Sequence, residues 1–239
     1  MNDIAYPMFS GNSLDEIYLE LASLLFHYGE EVSPRDKTTI ELVNVQFHLL
    51  DPQQSVITIP ERKFSLKYLE AELDWYVSGD RHIKNIKDYA NIWSEIADDK
   101  GKINSNYGAF VFHDLMYSGD TQFECCLKQL KKDPDSRQAI INYNDPSHKY
   151  DDNKDFVCTI AQQFLIRNGF LHCTTMARSN DFIYGLPYDV PWFTFVQEKL
   201  AEDLKLELGI YTHFVTSLHV YKKHFKLLGE ISNVYYRPN

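Results

Sequence analysis

The stretch Phe156-Val157-Cys158-Thr159-Ile160-Ala161-Gln162-Gln163-Phe164-Leu165-Ile166-Arg167-Asn168-Gly169-Phe170-Leu171-His172-Cys173-Thr174-Thr175-Met176-Ala177-Arg178 decides how this chain begins to fold. Two runs, 156–167 and 170–177, read as strands, and they flank Asn168-Gly169, a pair in which both residues tolerate positive φ. The runs therefore pair as a hairpin. Cys158 stands near the start of one strand and Arg178 just past the end of its neighbour, so pairing brings a thiol and a guanidinium side by side. A cation beside a thiol lowers its pKa and favours the nucleophilic thiolate. Taken alone, a strand cysteine is more often a small buried core residue, and an arginine in this place a surface ion pair. Their juxtaposition is what raises both above that reading.

Working outward, Ser13 and Glu16 have capping-box spacing, and helical periodicity follows as far as Gly29. Residues 38–50 alternate as a strand that Pro52 ends. From Ser65, the apolar set Leu66, Leu69, Leu73, Tyr76 and Val77 predicts a helix closed by Gly79. A short helix and a polar loop occupy 92–106. Residues 107–112 read as strand, 120–132 as helix, 138–143 as strand, 187–204 as a long helix, 209–217 as strand and 219–228 as a last helix. No repeat, low-complexity segment or linker interrupts this alternation, which predicts one α/β (α+β) domain over residues 1–239.

Composition narrows the function classes. Of 239 residues 44% are hydrophobic and 14% aromatic, which suits a packed globule, and no apolar run approaches the eighteen or so residues of a membrane span. Met1 to Pro7 lacks the basic stretch and apolar core of a secretory leader, so the expected location is the cytoplasm, with no membrane partner. The four cysteines, Cys125, Cys126, Cys158 and Cys173, form no C-x-x-C pair, and His213, His219 and His224 fit no familiar metal spacing. No metal is expected. The net charge of −10 opposes a nucleic acid polymer as partner. A small phosphate ester remains open, because a few converging arginines hold one phosphate inside an acidic protein.

Further motifs follow the cysteine in order: Arg178-Ser179-Asn180-Asp181, then Gly185-Leu186-Pro187-Tyr188-Asp189, then Ser217-Leu218-His219-Val220-Tyr221. Before it stand Glu72-Leu73-Asp74-Trp75-Tyr76, Asn91-Ile92-Trp93, Asn104-Ser105-Asn106-Tyr107-Gly108 and Asp133-Pro134-Asp135-Ser136-Arg137. Together they resemble the thymidylate synthase superfamily over most of the chain. Asp189, where the synthases proper carry asparagine, resembles its branch of phage-type deoxycytidylate hydroxymethylases.

That resemblance implies a twisted mixed β-sheet with helices packed on one face, two subunits dimerising through the sheet, and 5,10-methylenetetrahydrofolate as co-substrate. It implies Cys158 as nucleophile, Glu72 as the group that orders a proton-relaying water, and Tyr107 as an orienting neighbour of the cysteine. Arg178 and Ser179 would bind the nucleotide phosphate, joined by Arg137 across the dimer interface. His219 and Tyr221 would hold the sugar hydroxyl, Asp181 the pterin, and Trp93 would line the folate side. The family commonly has a second arginine after Arg137; here Gln138 stands there, and Arg35 is the candidate replacement cation.

Asp189 is expected to choose the base. Uracil offers a carbonyl and an N3–H, whereas cytosine offers an amino group and a bare ring nitrogen. A carboxylate only accepts, so it suits the cytosine amino group and a protonated N3; an acid capping the following helix is the blander reading. The implied reaction adds Cys158 to C6, transfers the one-carbon unit to C5, and hydrates the resulting exocyclic methylene to 5-hydroxymethyl-deoxycytidylate. Eighteen residues follow Tyr221, without the usual apolar terminus that closes a synthase against water, and this favours hydration over reduction. The alternatives are methyl transfer to deoxycytidylate, hydroxymethylation of the ribonucleotide, and a non-catalytic nucleotide-binding dimer.

Overall fold

Eight strands form one mixed sheet in the computed structural model, which describes residues 8–235. They are β1 (Met8–Gly11), β2 (Glu30–Val32), β3 (Thr39–Leu49), β4 (Ile140–Asn142), β5 (Thr159–Arg167), β6 (Phe170–Ala177), β7 (Asn180–Asp181) and β8 (Glu207–Tyr221). The order is β1-β3-β8-β6-β5-β4, with β2 also on β3 and β7 also on β8. β1 runs parallel to β3, β6 and β7 run parallel to β8, and the remaining pairs are antiparallel. The leader reading on residues 1–7 and the last residues, 236–239, lie outside the described part.

The expected hairpin is β5–β6. Asn168 and Gly169 have φ of 53° and 83°, the positive pair that matches the twist of the flanking strands. Pairing continues past both strands, because Arg178 N–H donates to the Cys158 carbonyl at 2.9 Å. Cys158 and Arg178 are thus cross-strand neighbours at the mouth of the hairpin.

Local signals also set the helices. Ser13 caps α1 (Leu14–Tyr28), although the Glu16 carboxylate turns back to the Asn12 N–H rather than to Ser13. Ser65 caps α2 (Leu66–Ser78), and Gly79 ends it at φ 66°. α3 (Ile92–Ile96) is a single short helix, and α4 (Gln122–Lys132) opens on a reciprocal Thr121–Glu124 capping box. α5 (Leu186–Leu204) and α6 (Phe225–Tyr235) complete the set.

One face of the sheet is buried. Phe47, Phe164, Cys173, Tyr211, His213 and Val215 stand on it in register and pack with α1 and α5, whose Trp192, Phe193 and Val196 are fully buried. Each buried Val or Phe among them contributes about 1.5–3 kcal/mol through area removed from water. On the alternate positions Gln46, His48, Gln163, Thr174, Met176 and Thr212 are only half-buried, and Ile160, Phe170 and Ile210 are exposed. Among the described residues, no helix is long and apolar enough to cross a membrane.

Two expectations fail. Residues 107–112 are not a strand: Ala109–His113 make a wide helical turn closed by Asp114 N–H to the Ala109 carbonyl at 2.8 Å. Asn106 causes this, since its Oδ1 accepts from Ala109 N–H while its amide donates to the Trp75 and Asp80 carbonyls, fastening the segment to the end of α2. Gly108 lies so close to the Tyr76 carbonyl that a Cβ would stand 1.6 Å from that oxygen. Residues 219–228 are not one helix either. β8 runs on to Tyr221 because β3 pairs with it on one side and β7 on the other, with Thr39 opposite Tyr221 and Asp181 beside His219. The helix starts only at Phe225.

Candidate active site

At the mouth of the β5–β6 hairpin the Arg178 guanidinium reaches four groups. Its Nε donates to the Val157 carbonyl at 3.1 Å, Nη1 to Ser179 Oγ at 3.1 Å, and Nη2 to both the Phe156 carbonyl and Cys158 Sγ, the latter at 3.4 Å. The plane rests on the Phe156 ring, 4.8 Å from its centroid. Ser179 Oγ adds a contact to the same sulfur at 3.6 Å. Cys158 is half-buried. Burial pushes its thiol up, and Arg178 and Ser179 only partly oppose this, while Asp189 adds to the rise. The expectation that the neighbouring cation lowers the thiol pKa outright is therefore corrected: desolvation is the larger effect.

The segment around Tyr107 is anchored close by. Asp155, three residues before the cysteine, accepts from Asn104 N–H, Ser105 N–H and Ser105 Oγ at 2.6, 2.8 and 2.9 Å. Tyr107 does not bond the sulfur; its hydroxyl accepts from Thr159 Oγ1 at 3.0 Å. Its ring packs on Tyr76, Tyr143 and Phe193.

Two buried carboxyl groups belong to the same neighbourhood. Glu72, on the buried face of α2, accepts from the Tyr68 hydroxyl at 2.5 Å, and Tyr68 in turn accepts from Trp93 Nε1 at 3.1 Å. Burial raises Glu72 to about 8, with the Tyr68 bond opposing and the Asp189 charge adding to the shift. Asp189 lies in the first turn of α5, where Asn180 Nδ2 donates to its Oδ2 at 2.6 Å. Burial raises it to about 7, against the Asn180 bond and with help from Asp181. Asp189 is near enough for its charge to act on Cys158, Glu72 and Tyr107 alike. The thiol and both acids therefore lie in one neighbourhood, within reach of the Asp189 charge.

His219 and Tyr221 project from the same side of β8, their rings perpendicular with centroids 5.3 Å apart. Burial raises the Tyr221 hydroxyl, followed by Asp181, while Arg35 and Arg178 pull it down, so both arginines lie near it. Arg35 is exposed and holds a left-handed backbone, φ 52°. Asp181 uses one oxygen, Oδ1, to accept from Ile183 and Tyr184 N–H at 2.7 and 2.9 Å. Arg137 is not brought into this pocket. It is exposed beyond α4, and its carbonyl accepts from Gln163, which stands on the opposite face of the sheet.

The sequence reading gave no role to Tyr68 or Asn180. Tyr68 was within reach of sequence reasoning, being one helical turn before Glu72. Asn180 lay inside a quoted motif, yet only the turn from β7 into α5 aims it at Asp189. Among the described residues, no group of three or more His, Cys, Asp or Glu is arranged to hold a metal ion.

Comparison with known proteins adds relatives of known activity. The thymidylate synthase family profile matches residues 16–234. The chain is 33% identical over 228 residues to the deoxycytidylate 5-hydroxymethyltransferase of Enterobacteria phage T4, covering 90% of this chain and 89% of that protein, with the same figures for its counterpart in phage T2. It is 27% identical over 239 residues to the deoxyuridylate hydroxymethyltransferase of Bacillus phage SP01, covering 95% of this chain and 62% of that protein.

Proposed function

The chain belongs to the thymidylate synthase family, and we propose that it is a deoxycytidylate 5-hydroxymethyltransferase. It is an enzyme of one-carbon transfer to C5 of a pyrimidine nucleotide. The observation that supports the choice of base is the Asp189 carboxyl group, held by the Asn180 amide and close enough for its charge to act on the Cys158 thiol.

In this reading the Cys158 thiolate, stabilised by Arg178 and Ser179, adds to C6 and makes C5 nucleophilic. Asp189, with a pKa near 7, exchanges a proton readily with N3 and so spreads the charge that develops on the ring. Its carboxylate repels the uracil carbonyl. The co-substrate 5,10-methylenetetrahydrofolate, when bound, supplies the one-carbon unit. The residues present fit it: Trp93, Tyr68 and Tyr188 offer an aromatic wall, Tyr68 and Tyr188 with centroids 4.6 Å apart, and Asp181 keeps one oxygen outside its turn bonds. Loss of the C5 proton, with tetrahydrofolate departing as the CH2–N bond breaks, would leave an exocyclic methylene on the ring, and Glu72 positions and deprotonates the water that adds to it. The electrons then return through C5 to C6 and expel Cys158. His219 and Tyr221 hold the sugar.

Phosphate binding falls to Arg178, Ser179 and Arg35, with Arg137 supplied by a second copy of the same catalytic domain. The half-covered outer sheet face supports that homodimer, since Arg137 lies on its side of the molecule.

The test is mass spectrometry of nucleotide incubated with protein and methylenetetrahydrofolate. Deoxycytidylate should gain one CH2O unit; gain of CH2 would identify a methyltransferase, product from deoxyuridylate alone would reassign the base, and no product would leave a binding protein. Cys158→Ala should abolish turnover while nucleotide binding stays measurable by calorimetry, and retained turnover would remove the nucleophile.

A further inference from the structure

Asn180 is 4% exposed, and its amide has two polar ends in different states. The nitrogen donates to Asp189 Oδ2 at 2.6 Å. The oxygen, Oδ1, is buried and has no hydrogen-bond partner. An ionised carboxylate only accepts, so the amide nitrogen must face Asp189 and the carbonyl must be the end left over. A buried carbonyl left unpaired is unfavourable, so this oxygen is ready for a donor. Gly185 leaves room for this arrangement, because a Cβ there would stand 2.9 Å from the amide nitrogen.

We propose that Asn180 is a specificity-determining residue, whose Oδ1 accepts the second amino hydrogen of cytosine while its amide nitrogen fixes the Asp189 carboxylate that takes the first. The proposal rests on the functional reading above. Cytosine's exocyclic nitrogen carries two hydrogens, and one carboxylate oxygen satisfies one of them. The orphaned oxygen is bonded to the same amide carbon as the nitrogen that touches Asp189, so one amino group can bridge the two acceptors. Uracil presents an oxygen there instead, which meets two acceptors and satisfies neither. The hydrogen bond from this amide also opposes the rise that burial and Asp181 cause at Asp189. The other titratable groups coupled to Asp189 are Glu72, Cys158, Tyr76, Tyr107 and Tyr211.

The experiment compares kcat/KM for deoxycytidylate and deoxyuridylate in wild type, Asn180→Ala and Asn180→Ser, each as a ratio within one preparation, so that a partly folded sample cancels. Both variants should lose about ten- to a hundred-fold of the preference for deoxycytidylate. The limb of the pH profile that reports Asp189 should move to higher pH, because the bond that favours its ionised form is gone. A merely structural residue would lower both substrates alike and leave the limb in place, and that result overturns the inference. A wild type that turns over only deoxyuridylate would sink the functional reading itself, and this inference with it.

Discussion

Glu72 and Asp189 are both buried and both raised by burial, and the Asp189 charge adds to the rise at Glu72, yet they are held by opposite means. Glu72 takes its partner from its own helix, the Tyr68 hydroxyl one turn earlier, and Trp93 extends the chain. Asp189 takes its partner from β7, across a turn whose position depends on pairing with β8. The first arrangement is rigid wherever α2 forms. The second ties Asp189 to the strand that carries His219 and Tyr221, so a shift in one moves the other. The Glu72 corner is thus a local device and the Asp189 corner a tertiary one.

The sharpest way to break this contrast is Glu72→Gln. It keeps the shape of α2 but removes the base, and turnover should fall about 10²- to 10⁴-fold with nucleotide affinity retained. A parallel loss of affinity in calorimetry would place Glu72 in recognition instead. Asp189→Asn addresses the other corner: the ratio of deoxyuridylate to deoxycytidylate turnover should rise about ten- to a hundred-fold. An unchanged ratio would leave cytosine selection without a structural basis.

Tyr68→Phe sharpens the comparison further. The hydroxyl favours ionised Glu72, so its loss should raise that group beyond its value of about 8, move the ascending limb of the pH–rate profile upward, and slow neutral-pH turnover about ten-fold. A limb that stays put would separate Tyr68 from Glu72 ionisation. The smallest effect concerns stability. A carboxyl raised on folding keeps its proton in the folded state at a pH where the unfolded chain has lost it. Stability is then greatest below the ordinary carboxylate value and declines as pH rises towards about 7 for Asp189 and about 8 for Glu72. Thermal unfolding across that window should show the decline, and Glu72→Gln with Asp189→Asn should flatten it. An equally steep decline in the double variant would assign it to other groups.

Much of the architecture could be read before any coordinates, and where reading failed, particular contacts explain it. The Asn168-Gly169 turn and the Ser65 and Gly79 ends of α2 hold because their causes lie within a few residues. Residues 107–112 look like a strand, yet Asn106 satisfies the backbone of α2 and of its own segment together, a long-range bond that no periodicity records. β1, β2 and β7 are too short to give a signal and exist through their partners.

The chain's sequence alone determined the hairpin that sets Cys158 beside Arg178, the helix that carries Glu72, and the acid at 189, since turn chemistry, caps and residue identity are local properties. Only the tertiary structure decided that β8 reaches Tyr221, that burial outweighs Arg178 at the thiol, and that Asn180 meets Asp189. Those outcomes depend on desolvation and strand pairing, which arise from residues distant in sequence and close only once the sheet has formed.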